Sequence, residues 1–467
     1  MSCSSRKPTA EPMLMRPMHD MLSRAAGRQS GHMPGHKGQS PFGPVDPYAL
    51  DTTELPVTDD LYAPERGILE AQRLYAQAAG AAETIFLHNG STSGIHAMAQ
   101  LYAHESDTVI LPRNAHLSAV NGCVLGGLRP VWIPVTQTAD GYCCIAEADA
   151  LAALDAHPEA KALLLTRPDY FGGCLPLERI IVKAHGMGIR VVVDEAHGAH
   201  LPWLEGVPSA GALGADAWVQ STHKTLPGLT GSAVLHLRNA ADRSRAMTLL
   251  RREQTSSPSF LLMLSIDDAR AWMTSHGPER LMAVRHAADE LRTLLPALGY
   301  ADAHDGWRGT GLTFDPTRLV IAAPQGGYAL AKAMQRHGVD AEMADTHRAV
   351  LILTAMDDPA GILHIADILR DIPAVPRELP ATNAAWPIPR QVMPLRTAAM
   401  EPTEQVSLTK AQGRVAAAVA GLYPPGVPLV CPGEEITEET IHRLQAAGSQ
   451  QRFGVEGDCL TCVMTSV

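Results

Sequence analysis

A lysine, a carboxylate and a run of hydroxyls carry the chemistry in this sequence. Lys224 stands in Ser221-Thr222-His223-Lys224-Thr225, directly after the apolar stretch Ala217-Trp218-Val219-Gln220. In bulk water it is an ordinary surface cation. In a partly desolvated site a lysine loses proton affinity and becomes a nucleophile able to form Schiff bases. Asp194 closes a second apolar run, Val191-Val192-Val193, about one crossover unit earlier in the chain. A carboxylate there is open to three uses: a helix cap, a metal ligand, or the partner of a pyridinium N–H that makes a ring an electron sink. Ser221, His223 and Ser91-Thr92-Ser93, the last set between a strand and a helix, could together hold a phosphate dianion. A ring-nitrogen partner, a Schiff-base lysine and a phosphate cradle are what pyridoxal phosphate (PLP) requires of a protein. Each is weak alone, and their order along one chain gives them weight.

Other polar clusters compete for roles. Gly31-His32-Met33-Pro34-Gly35-His36-Lys37-Gly38 is too rich in glycine and proline for a regular element. It reads as a surface loop, or as a stiff loop presenting His36 and Lys37 to a polar ligand. Residues 51–61 are acidic and irregular: a solvated loop, or a source of carboxylates such as Glu54 for a cationic substrate. A proline-stiffened stretch over 422–435 ends in Glu434 and Glu435. The 8 cysteines read as free thiols in a long chain with no secretion signal. Cys459-Leu460-Thr461-Cys462 lacks the further ligands at matching spacing that a zinc site wants, so it reads as structural and no metal is expected.

Short strands must deliver these groups to one place. Apolar runs at 84–87, 108–111, 130–135, 162–165, 191–193, 217–220 and 233–237 alternate with helical spacing at 68–79, 95–103 and 177–185. That rhythm predicts a mainly parallel, doubly wound α/β sheet. The polar clusters recur at strand C-terminal ends, where open α/β sheets bind ligands. Long helices are expected over 261–295. A smaller α+β domain follows, with strands at 312–314, 319–321 and 350–354 and a helix over 326–338. Helices are also expected over 13–28 and 406–420. The expected domains are an N-terminal segment with active-site loops (1–60), a large domain (61–298), a small domain (299–375) and a C-terminal segment with the proline-rich loop (376–467).

Composition narrows the function classes. With 467 residues, 46% hydrophobic and 19% charged, the chain can bury a large core. A net charge of −11 with no basic run, and only 4% aromatics, speak against nucleic acid and anionic membrane as partners. No apolar run reaches the ~18 residues of a membrane span and no signal peptide is evident, so a cytoplasmic location is expected.

Two segments, Asp194-Glu195-Ala196-His197-Gly198-Ala199-His200 and Gln220-Ser221-Thr222-His223-Lys224-Thr225-Leu226-Pro227, resemble the signatures of the Orn/Lys/Arg decarboxylases. These are PLP enzymes of the aspartate-aminotransferase fold, fold type I. The resemblance takes in residues 32–38, 53–56, 89–93, 113–116, 255–259 and 423–428, and the length resembles the short form without a wing domain. It implies decarboxylation of lysine, arginine or ornithine to the diamine or agmatine. It implies that Lys224 forms the Schiff base, Asp194 meets the ring nitrogen and His116 stacks on the ring. Ser91, Thr92, Ser93, Ser221 and His223 would hold the phosphate, with Ala196 and His197 beside the cofactor. Thr255 and Ser256 would reach the neighbouring subunit's cofactor, which implies a homodimer with shared sites. His36, Lys37, Glu54 and Glu434 would be near the substrate. Two departures bear on reaction type: Leu117 where the family has lysine or arginine, and Gly228-Leu229-Thr230-Gly231 where it has Ala-Leu-Thr-Gln. The alternative is a PLP enzyme that eliminates, cyclises or transaminates an arginine-like amino acid.

Overall fold

The computed structural model describes residues 29–464, apart from 44–45, 56, 377–385, 387, 424–425 and 449–450. The helix expected over 13–28 lies outside the described residues.

A seven-stranded sheet organises the large domain. Its strands in chain order are β1 (Glu83–Leu87), β2 (Thr108–Pro112), β3 (Arg129–Ile133), β4 (Ala162–Thr166), β5 (Arg190–Asp194), β6 (Ala217–Gln220) and β7 (Ala233–Leu237). Across the sheet they run β1-β7-β6-β5-β4-β2-β3. The pairings among β2 to β6 are parallel, and β7 alone runs against both its neighbours. The strands read as unbroken apolar runs because both faces are buried. Val191 and Val193 enter one core and Val192 the other, the period-2 alternation of a strand.

Helices α1 (Gly67–Ala79), α2 (Gly90–Leu101), α3 (Leu117–Gly126) and α4 (Glu178–Gly186) cover the sheet. Helix α2 packs so close that a Cβ on Gly94 would lie 2.7 Å from both Leu87 and Val219 side chains. That contact sets the N-terminus of α2 at the C-terminal ends of β1 and β6.

Residues 261–295 form one continuous helix, α5 (Phe260–Leu294), with Pro278 inside it. Its first half packs into the large-domain core through Met263, Ile266 and Met273. Its second half packs into the small-domain core through Val284, Ala288 and Leu291. The small sheet is antiparallel and centred on β8 (Arg318–Ala322) and β9 (Arg348–Ile352). Helices α6 (Gly327–Arg336) and α7 (Pro359–Asp371) cover it. Two expectations are corrected here. Thr313–Phe314 pairs with Gly173–Cys174 of the large domain, not with the small sheet. Residues 406–420 form no α-helix: Thr403–Ser407 pairs with Cys459–Val463, Leu408–Lys410 makes a single 3-10 turn, and Gly413 has φ +73°. No described helix is long and apolar enough to cross a membrane.

Candidate active site

Three strand ends open into one cavity of about 480 Å³. β5 ends at Asp194, β4 ends at Thr166, and β6 runs into the short helical turn that bears Lys224. Asp194, Lys224, His116, Ser91, Ala196 and His197 all line this space. Asp194 is buried and accepts from the Ala196 N–H at 3.1 Å. His116 caps α3, its Nδ1 taking the Ser118 N–H at 3.2 Å, which turns the imidazole over the cavity.

Lys224 Nζ lies 3.1 Å from His197 Nε2. Burial lowers the ammonium's pKa, opposed by the negative charge of Asp194. Burial also holds His197 well below its ordinary value, with Lys224 and Arg318 pushing the same way. The Tyr170 ring meets the His197 ring edge-on, with centroids 5.0 Å apart.

The phosphate candidates divide. Ser221 Oγ is buried without a hydrogen-bond partner among the described residues. Ser91 lines the cavity in the first turn of α2. His223 uses Nδ1 on the Ser232 carbonyl at 2.8 Å, and burial lowers its pKa. Ser93 donates to Gly90 O at 3.2 Å, and Thr92 is exposed. Thr255 and Ser256 are exposed and do not line their own chain's cavity.

The four substrate candidates are not brought there. Lys37 is engaged elsewhere: its ammonium donates to the carbonyls of His32 and Ile352, both at 2.8 Å, and staples the N-terminal loop to β9. Glu434 is engaged as well. It is wholly buried, and its two oxygens accept from Arg113 at 2.6 and 2.7 Å. The Cys431 N–H adds a third bond at 2.7 Å. This pair ties the C-terminal region to the end of β2. His36 accepts from the Gly38 N–H at 3.0 Å and Glu54 sits in the acidic loop; neither lines the cavity. Cys459 and Cys462 lie three apart on one strand, hence on opposite faces, and cannot share an ion.

The structure adds Thr166, Tyr170, Cys143, Cys144, Tyr423 and Phe453 to the wall. Thr166 carried a visible signal, a hydroxyl at a strand end; its Oγ1 is buried without a partner. Tyr423 opens the 423–428 segment that the resemblance takes in, while Phe453 carried no signal, because only the fold brings it there.

These residues fit PLP. Two orphaned buried hydroxyls, a helix N-terminus, a carboxylate at a strand end and a desolvated lysine are the donor set the cofactor needs. The family model described as Orn/Lys/Arg decarboxylase, major domain, matches residues 48–313, and that of the C-terminal domain matches 388–453. The chain belongs to the Orn/Lys/Arg decarboxylase family. It is a PLP-dependent decarboxylase of a basic amino acid. An uncharacterised protein of Bacillus subtilis is 36% identical over 454 residues, covering 92% of this chain and 93% of the relative. A protein named arginine decarboxylase from the same organism is 32% identical, covering 91% and 92%. The solved Escherichia coli constitutive lysine decarboxylase superposes with a TM-score of 0.70 at 18% identity, covering 85% of this chain and 73% of that one. At that identity the likeness establishes the fold alone, that of fold type I.

Proposed function

We propose that this decarboxylase acts on arginine, releasing CO₂ and agmatine, as a homodimer whose two active sites are shared. The relatives named arginine decarboxylase support the substrate, since they match nearly the whole chain at higher identity than those named lysine decarboxylase. One observation carries the site: Lys224 Nζ, desolvated, in a cavity whose floor is Asp194 and whose edge is the N-terminus of α2. Lys224 is the Schiff-base residue. Asp194 would pair with the ring nitrogen, and His116 would cover the ring face. Ser91 and Ser221 take the phosphate, helped by the α2 N–H groups and His223. Bound there, PLP supplies the electron sink for the pair left when the carboxylate departs. The protein's part is to hold the α-carboxylate out of the ring plane, exclude water and return a proton to the α-carbon. Tyr170, Phe171, Leu175 and Phe453 make much of the wall apolar, which favours loss of charge as a carboxylate becomes neutral CO₂.

The test is product analysis with arginine, lysine and ornithine. Agmatine and CO₂ from arginine, at a higher kcat/KM than either rival, is the expected result. Preference for lysine or ornithine would overturn the substrate. Products that keep the carboxylate would overturn the reaction.

A further inference from the structure

One buried cation near the site makes no ion-pair contact among the described residues, although the carboxylates of Asp169 and Asp315 act on it through space. Arg318 stands at the start of β8 in the small domain and is 1% exposed. Its Nε and one terminal nitrogen are buried with no hydrogen-bond partner among the described residues. Its other terminal nitrogen reaches Nδ1 of His197 at 3.4 Å. A guanidinium with two idle nitrogens is costly to bury, so packing alone is a poor reason to keep it.

Hydrogen-bond bookkeeping gives the contact a meaning. A guanidinium can only donate, and it does not lose its proton in a protein. Nδ1 of His197 must therefore accept. A neutral imidazole with Nδ1 as acceptor carries its hydrogen on Nε2. Nε2 faces Lys224 Nζ at 3.1 Å, so that bond runs from imidazole to amine. Nζ then supplies a lone pair and carries two hydrogens, its third proton having gone to solvent. The other tautomer would set Nδ1–H against a guanidinium N–H.

We propose that Arg318 is a positioning residue that locks His197 in the Nε2–H tautomer, so that His197 faces the cavity as a hydrogen-bond donor and Lys224 meets it as a free amine. This rests on Lys224 being the Schiff-base residue. The charges around the imidazole agree with the assignment. Lys224, His223, Arg318 and His116 face it from three segments, each disfavouring an imidazolium. Tyr170 adds its ring edge on. Because Arg318 belongs to β8 while His197 and Lys224 follow β5 and β6, the seating of the small domain sets the proton inventory of the large-domain site.

The test is ¹⁵N-histidine NMR on the full-length protein freed of cofactor, with His197 assigned by the loss of its signals in His197→Gln. The readout holds whether or not arginine is the substrate. Wild type is expected to show an unprotonated Nδ1 and a protonated Nε2 across about pH 6.5 to 8.5. Arg318→Met is expected to populate the Nδ1–H tautomer, and Arg318→Lys to keep the wild-type one. Uptake of added PLP, followed by absorbance, is expected to be flat with pH in wild type. In Arg318→Met it should rise about tenfold per pH unit where Lys224 regains its proton. Nδ1–H in wild type overturns the proposal, as does an Arg318→Met protein that keeps both the tautomer and the flat profile. If Arg318→Met does not fold, the wild-type tautomer and Arg318→Lys decide. A normal tautomer with no arginine decarboxylation would sink the substrate and leave this assignment standing.

Discussion

An ionisable side chain can be buried for what it holds or for what it will meet. Glu434 is the first kind. Arg113 takes both its oxygens and also donates to the carbonyls of Pro428 and Leu429 at 3.2 and 3.1 Å. Breaking a buried pair from one side leaves a charge with no solvent and no partner. Glu434→Gln should therefore lower folding stability by about 3–5 kcal/mol, read by urea unfolding. The fraction that folds should bind arginine with an unchanged KM. A stable variant with a raised KM would return Glu434 to the substrate site. Lys224 is the second kind: among the described residues its ammonium position has one side-chain hydrogen-bond partner, His197, and an open cavity beyond. In the sequence both are expected at the site, Lys224 after an apolar strand and Glu434 at the end of a proline-stiffened stretch. What separates them is the Arg113–Glu434 contact, spanning 321 residues, which no local pattern announces.

At the scale of elements, legibility followed locality. Buried parallel strands read as apolar runs stopped by polar residues, so β4, β5 and β6 and the groups at their ends were visible. Residues 406–420 were not, because their alanines favour helix while Val406 and Ser407 pair with the Cys459–Val463 strand and Val415 and Ala416 bridge to Glu435 and Cys462. The acidic loop hid a cap in the same way. Asp59 is buried, and its oxygens accept from the N–H groups of Asp60, Glu65, Arg66 and Ile68, all at 3.0 Å. Burial pushes its carboxyl up, and those four bonds outweigh it and hold it below the ordinary range. Asp59→Ala frees them at the start of α1 and should cost about 2–4 kcal/mol by urea unfolding. A loss near zero would mean that water replaces the carboxylate. His236, in β7, bridges Thr84 of β1 at 2.8 Å and Gln220 of β6 at 3.1 Å. Burial pushes its pKa down from 6.5 to about 3. Between those values the unfolded chain binds a proton that the folded chain refuses, so stability rises with pH there. This contribution is complete above pH 6.5 and drains away as pH falls, by about 1.4 kcal/mol per unit. His236→Gln should accordingly lose about 2 kcal/mol less than wild type between pH 6.5 and 5, by urea unfolding at each pH. Parallel pH profiles would show that the imidazole does not stay neutral.

For the whole molecule the open question is where the Thr255–Ser256 segment does its work. It is exposed in its own chain and anchored there by the Tyr62 hydroxyl, which donates to Thr255 O at 2.6 Å. Nearby in sequence to Tyr62, Tyr48, Leu50, Leu55 and Val57 leave apolar side chains in water, with Tyr48 93% and Val57 84% exposed. Apolar surface gathered in one segment marks a surface built to be covered. A second copy that covers it would bring its own 255–256 segment to this chain's phosphate end, and complementation separates that arrangement from a self-contained site. Lys224→Ala loses the nucleophile. Thr255→Asp with Ser256→Asp sets negative charge against the phosphate. Each homodimer should be nearly inactive. In a mixed dimer with shared sites, one site pairs the intact Lys224 with the intact 255–256 segment, and the other carries both lesions. Random exchange makes about half the dimers mixed, each with one good site of two, so about a quarter of wild-type activity should return on mixing and subunit exchange. If each chain completes its own site, every site in every dimer carries one lesion or the other and mixing restores nothing.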